Sequence, residues 1–280
     1  MNEDSFLRFR NVLPRLLVAA GLTALALAVR RKGRVSDAQI TYPPLDQPKP
    51  LGDGVWIVDS GPISAAGMKL PVRMTMLRLS DGSVLLHSPT RYTPRLAQAI
   101  EEIGPVRHLI APTIAHSSFL AEWQLAYPTA KLWAVPGLRD RGLVRRSGVR
   151  IDADLAHAAP AEWADAVDQG LVRGGGGFCE AWFFHRPSRT LVLADLIENM
   201  DPAKLPPVTS LLMRAAAATR GTTGFHVRAV LLSKKAEARK SVSHMIATEP
   251  RRVIFSHGEC FGEHASEHLR RAFAWLMKSG

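Results

Sequence analysis

Two imidazoles and one carboxylate, His116, Asp195 and His257, each follow closely on an apolar, β-prone run. Asp195 closes Thr190-Leu191-Val192-Leu193-Ala194, His257 comes after Val253-Ile254-Phe255-Ser256, and His116 lies just past His108-Leu109-Ile110-Ala111-Pro112. Such runs read as strands. Open sheets gather ligands at the carboxyl ends of their strands, so three residues far apart along the chain are expected to converge on one cleft. Two histidines and an aspartate are a ligand set for zinc or another divalent transition metal. Hydrolytic sites of that kind use three protein ligands and leave a fourth position for a water whose pKa falls to about 7. Glu180 and Glu259 are the acid/base or outer-ligand candidates beside them. The donor count allows one ion and argues against two. Each residue also has a structural reading: His116 could bond within a helix start, His257 could satisfy a loop carbonyl, and Asp195 could cap the next helix.

Other chemistries find less in the residues. Gly174 to Gly177 reads as a flexible turn, because no helix start or Lys-Ser/Thr follows it as a phosphate cradle requires. No GxSxG elbow and no Cys–His pair stands out, so nucleophilic catalysis is disfavoured. His185, in the turn region of a hairpin, reads as a surface residue. The chain has only two cysteines, Cys179 and Cys260, without CxxC spacing. This excludes a disulfide scaffold or zinc knuckle and leaves a single Cys179–Cys260 bond open, with Cys179 read as a buried strand thiol.

The elements that would position these groups can be read in order. Val55 to Asp59 begins regular structure, Met68 to Leu79 is a strand with a basic side, and Asp81-Gly82 turns it into Val84-Leu85-Leu86. Thr93-Pro94 opens a helix with Leu96, Ile100 and Ile103 on one face, and Gly104-Pro105 ends it. The strand Val106 to Ala111 leads to a helix capped by Ser117 or Ser118, with Phe119, Leu120, Trp123 and Leu125 as its apolar stripe. Leu132 to Val135 is the next strand, completing a parallel unit. Leu138 to Asp168 has no clear order. Ala181 to Phe184 and Thr190 to Ala194 form a hairpin around Arg186-Pro187-Ser188. Helices are expected over Leu205 to Arg220, Lys234 to Ala247 and His264 to Lys278.

The chain has 280 residues, 46% of them hydrophobic and 22% charged, with a formal net charge of +11. That favours a negative partner such as an anionic membrane surface. The cations are scattered, without interleaved aromatics, so a specific nucleic-acid module is disfavoured. Leu16 to Val29 is an apolar run flanked by Arg8, Arg10 and Arg15 before it and Arg30, Arg31, Lys32 and Arg34 after it. It falls short of the roughly twenty residues of a spanning helix. A short anchor or surface helix is preferred, with the main domain in the cytoplasm. A secretory signal peptide, suggested by Ala26-Leu27-Ala28, is the runner-up because basic residues follow the cut. Residues 1–34 are therefore expected to form a hydrophobic helix with basic flanks, 35–50 a Pro-rich linker, and 51–280 the main domain.

The early hairpin, the strand–helix–strand, the Asp ending LVLADL and the closing FSHGE resemble the metallo-β-lactamase-fold superfamily. With the Pro112 to His116 run, they are most similar to an uncharacterised branch of it, a domain of unknown function. The resemblance covers Leu51 to Lys278. It implies an α/β chain folded as an αβ/βα sandwich of two mixed β-sheets, with a metal cleft at one edge. Active members carry HxHxDH after the first parallel strand, an isolated His, a metal-bridging Asp and a final His. Asp195 matches the bridging Asp and His257 the final His. PTIAHSS at Pro112 to Ser118 offers His116 alone where the pattern has three histidines and an aspartate, and Gly174 to Gly177 stands where the isolated His would fall. Two functions follow as expectations: a metal-dependent hydrolase of a small ester, thioester or phosphoester with a mononuclear site, or a catalytically inactive binding or scaffold protein of the same fold.

Overall fold

The computed structural model describes residues 35–278 apart from Ala66. The apolar run at Leu16 to Val29 lies outside the described residues, and no described helix is long and apolar enough to cross a membrane. The stretch expected as a linker is docked on the domain. Ser36 caps the short helix α1 (Asp37–Ile40), and Ile40 is wholly buried beside Met200, Leu205 and Met213. Burial of this one side chain turns a Pro-rich arm into part of the fold.

Strand β1 (Lys49–Gly52) pairs with β2 (Val55–Ala65), which forms a long antiparallel hairpin with β3 (Met68–Arg78). The Asp81-Gly82 turn then returns the chain into β4 (Val84–His87). Asp81 Oδ1 stabilises that turn by accepting from Ser83 N at 2.9 Å. Helix α2 (Pro94–Glu101) begins as its residue types dictate: Pro94 sits at the start and Thr93 Oγ1 accepts from Leu96 N at 3.2 Å. It carries the chain over to β5 (Val106–Ala111), parallel to β4. Helix α3 (Leu120–Ala126) does the same for β6 (Lys131–Ala134), and α4 (Gly142–Ser147) precedes β7 (Ala153–Asp154). These seven strands lie in the sheet in chain order.

The second sheet has four strands: β8 (Val167–Arg173), β9 (Cys179–His185), β10 (Thr190–Val192) and, parallel to β10, β13 (Arg252–Ile254). The expected hairpin is β9 and β10, paired antiparallel as Phe184↔Leu191. Between β10 and β13 come β11 (Glu198–Asn199), α5 (Pro207–Ala215), β12 (Thr219–Thr222), α6 (Phe225–Leu232) and α7 (Lys235–Ala247); α8 (Ala265–Ala272) and α9 (Ala274–Met277) close the fold.

Two-residue periodicity explains the layers. Ala181 and Phe183 of β9 face inward with Val192, Ile254, Leu86 and Ile110. Trp182 and Phe184 face outward with Val242, Met245 and Leu269. Leu96, Ile100 and Trp123 join the inner cluster from α2 and α3. The chain is thus an αβ/βα sandwich, as the resemblance implied.

Three helices differ from their sequence reading. Helix α3 starts later than a Ser117 or Ser118 cap would place it: Phe119 is the N-cap, with no side-chain bond, and Leu125 is 84% exposed. The preceding loop is held to the other sheet, which sets where the helix can begin. The helix after Leu205 ends at Ala215 because Ala217 adopts φ 63° and Thr219 to Thr222 turns to pair with Glu198-Asn199. The last helix breaks at Phe273, which is wholly buried. Cys179 and Cys260 are both free.

Candidate functional site

Asp195 leaves the sheet under direct control of a buried carboxylate. After Leu193 N makes its bond to Ile254 O at 2.8 Å, Ala194 N and Asp195 N turn to Glu180 Oε1 and Oε2 at 2.7 and 2.8 Å. Glu180 is wholly buried on β9. Burial, and then the charge of Asp195, push its pKa well above the usual carboxylate range. The carboxylate is spent on backbone amides of its own sheet, and it acts by holding Asp195 in place.

The loop that bears His116 is tied to the same edge. Ala181 N donates to Pro112 O at 2.9 Å, Thr113 Oγ1 donates to Asp195 Oδ2 at 3.2 Å, and Ala115 N donates to Thr113 Oγ1 at 3.1 Å. This brings His116 Nε2 to 3.0 Å from Asp195 Oδ1. On the other side of the ring, Nδ1 lies 2.5 Å from Ser88 Oγ.

His257 arrives from β13. Its loop is pinned by Arg73 of β3, a buried guanidinium that pairs with Asp59 at 2.8 Å and donates to Phe255 O at 3.1 Å and Gly258 O at 2.6 Å. Gly258 stands at φ 97°, and a Cβ there would lie 2.1 Å from Asn199 O, so only glycine allows the turn after His257. The His257 Nδ1 is 2.7 Å from Pro71 O. A carbonyl only accepts, so Nδ1 carries the hydrogen, and the remaining nitrogen, Nε2, faces Asp195 Oδ1 at 3.4 Å.

His116, Asp195 and His257 therefore converge as expected, with one ligand atom from each all within 4.8 Å of one another. The side chains are 12%, 20% and 9% exposed. Burial would raise the pKa of Asp195, but the charge and hydrogen bond of His116 and those of His257 hold it well below the usual range. Burial lowers His257, and its bond and charge interaction with Asp195 more than reverse this, leaving it above its ordinary value. A neutral His257 would aim a lone pair at a carboxylate, so the arrangement calls for positive charge between them. A metal ion fits that demand. Bonds of about 2.0–2.1 Å in a tetrahedral set place ligand atoms roughly 3.3 Å apart, close to the 3.0 and 3.4 Å separations from Asp195 Oδ1.

Glu259 does not join the group. Expected as an acid/base candidate, it is exposed, and its backbone N bonds to Asn199 O at 3.0 Å. His185 is buried rather than on the surface, with Nδ1 2.7 Å from Ser188 Oγ. Four residues that the motif reading passed over matter here. Ser88 and Arg73 line a cavity of about 40 Å³ with His116, Ser118, Ser256 and His257. His87 is buried behind it, edge-on to Phe183 with ring centroids 5.4 Å apart. Burial, and then the proximity of His116, push its pKa down to about 3. Glu198 is buried, which raises its pKa, and its Oε2 has no partner among the described residues. The sequence hint for Ser88 and His87 was their position at the end of the Val84-Leu85-Leu86 strand; Arg73 is one of three cations, with Lys69 and Arg78, on a strand whose basic side gives no hint of which is buried.

Residues 53–251 match the model of a domain of unknown function, DUF4336. The chain belongs to this family. No curated protein matches it. Among solved structures, this DUF4336 domain is similar to a metallo-β-lactamase from Pontibacter korlensis, at 11% identity and a TM-score of 0.56, covering 83% of this chain and 99% of that one. It is similar to one from Erythrobacter litoralis, at 16% and 0.54, covering 81% and 96%. It is also similar to the metallo-β-lactamase FIM-1 from Pseudomonas aeruginosa in its mono-zinc form, at 14% and 0.54, covering 83% and 96%. At these identities the likeness is one of fold.

Proposed function

We propose that this DUF4336 domain is a metal-dependent hydrolase with one ion held by His116, Asp195 and His257. The observation that carries the reading is the fixed tautomer of His257. Pro71 O takes the Nδ1 hydrogen, which leaves Nε2 as a ready ligand facing Asp195. A neighbour of the same fold is described in a mono-zinc form, consistent with a fold that can hold a single ion. A divalent ion such as zinc, when bound, supplies Lewis acidity and acidifies water.

The chain's own residues provide the rest. Glu180 fixes the backbone that projects Asp195, and Arg73 fixes the loop that projects His257. Ser118 and Ser256 line the cavity. We take a small ester, thioester or phosphoester as the substrate class, because the cavity beside the three ligands is small. The test is to strip the protein with a chelator, restore zinc, and follow hydrolysis of 4-nitrophenyl acetate, an acyl thioester and bis(4-nitrophenyl) phosphate. Zinc-dependent turnover of at least one, lost in Asp195→Ala, is expected. No turnover above buffer with zinc, manganese or iron contradicts the reading.

A further inference from the structure

Ser88 stands outside the three-ligand set, yet its contact with that set is the shortest in the site. Its Oγ is 2.5 Å from His116 Nδ1, while the opposite nitrogen of the ring is 3.0 Å from Asp195 Oδ1. Ser88 follows the last residue of β4, is held at φ 55°, and lines the cavity with His116 and His257. The left-handed region is one that serine rarely adopts, and strain of this kind gathers at functional positions. A hydroxyl at a strained strand end, an imidazole touching it, and a carboxylate orienting that imidazole are the parts of an activated nucleophile. No GxSxG surrounds Ser88, which is why the motif reading passed over it.

We propose that in the metal-free chain Ser88 is a nucleophile in a Ser88–His116–Asp195 relay, and that this chemistry and a metal ion on His116 exclude each other. A neutral imidazole carries one hydrogen. To take the proton of Ser88, His116 needs its lone pair on Nδ1, so the hydrogen sits on Nε2 and is donated to Asp195. To hold a metal through Nε2, the same ring must carry its hydrogen on Nδ1 and donate it to Ser88 Oγ. The substrate class is a small carboxylic ester. Ser88 Oγ bonds to the acyl carbon, its proton passes to His116 Nδ1, the ester C–O bond breaks, and the departing alkoxide takes that proton. Water then adds to the acyl-serine by the same route, releasing the acid and restoring the serine.

This goes beyond the metal reading but shares two residues with it, so zinc binding is measured separately. The full chain, stripped of metal, is incubated with a fluorophosphonate probe and examined by intact mass and peptide sequencing. One adduct per chain, on Ser88, is expected. Labelling should vanish in Ser88→Ala and slow by about 100-fold in His116→Gln, with circular dichroism confirming that both fold. Saturating zinc should suppress labelling of the unaltered chain, and Ser88→Ala should still bind zinc by calorimetry. No adduct on the unaltered chain, an adduct elsewhere, or a Ser88 adduct whose rate ignores both zinc and His116→Gln overturns the proposal. Zinc binding with an inert Ser88 leaves the metal reading standing and removes this one; Ser88 labelling without zinc binding does the reverse.

Discussion

The large grooves on the outer surface and the small cavity beside His116 differ in what they do with charge. One groove, of about 530 Å³, is lined by Arg189, Glu249, Arg251, Glu263 and Arg270. Its ion pair between Arg270 and Glu249 spans 3.0 Å with both side chains half or more exposed. The cavity holds about 40 Å³, and in its wall Arg73, Ser88 and His257 are buried and bonded to Asp59, His116 and Asp195. Water screens the first set and barely reaches the second, so the same kinds of side chain carry little energy in one place and a great deal in the other. Size alone would point to the wrong region.

Breaking the buried network should have the largest effect. Asp59→Ala leaves the Arg73 guanidinium buried without its carboxylate, and a loss of about 3–5 kcal/mol is expected in urea unfolding, with weakened zinc binding because Arg73 also holds the His257 loop. Next comes Glu180→Ala, which strips both acceptors from the Ala194 and Asp195 amides. About 2–4 kcal/mol is expected from two unsatisfied buried donors, while Glu180→Gln, which retains one acceptor, should lose less. If both variants unfold like the unaltered protein, the buried carboxylate is not the anchor described above.

His87 sharpens the comparison through pH. Its folded pKa, pushed down to about 3 by burial, lies below the unfolded value near 6.5, so the unfolded chain binds the extra proton. The stability this residue contributes is present above pH 6.5 and is lost as pH falls toward 3, by up to about 1.4 kcal/mol per pH unit. His87→Leu should flatten that slope between pH 6 and 4.5, and an unchanged slope would show that the ring is hydrated in the native state. The smallest effect belongs to the outer groove: Arg270→Ala should change stability by less than about 0.5 kcal/mol and leave zinc binding untouched.

Local chemistry made much of this architecture readable. Asp81-Gly82, Thr93-Pro94 and the alternating Ala181 to Phe184 strand form what their residue types dictate, because turn, cap and two-residue period are short-range effects. The convergence of His116, Asp195 and His257 was legible from strand ends. What escaped depends on direction in space. Glu180 has the composition of an acid catalyst, and only its burial against two amides makes it a positioning residue. Ser88 and His87 looked like the tail of an apolar strand, and the arm around Ile40 looked like a linker until Met200 and Leu205 covered it. Ser117 and Ser118 were plausible caps, but tethering of Pro112 and Thr113 to β9 and Asp195 moves the helix start past them.

The most direct test is calorimetric titration of the metal-stripped chain with zinc, alongside Asp195→Ala. One equivalent bound by the unaltered chain, with affinity falling more than about 100-fold in the variant, is the result this account predicts. Two equivalents, none, or a single equivalent that survives the loss of Asp195 would contradict it.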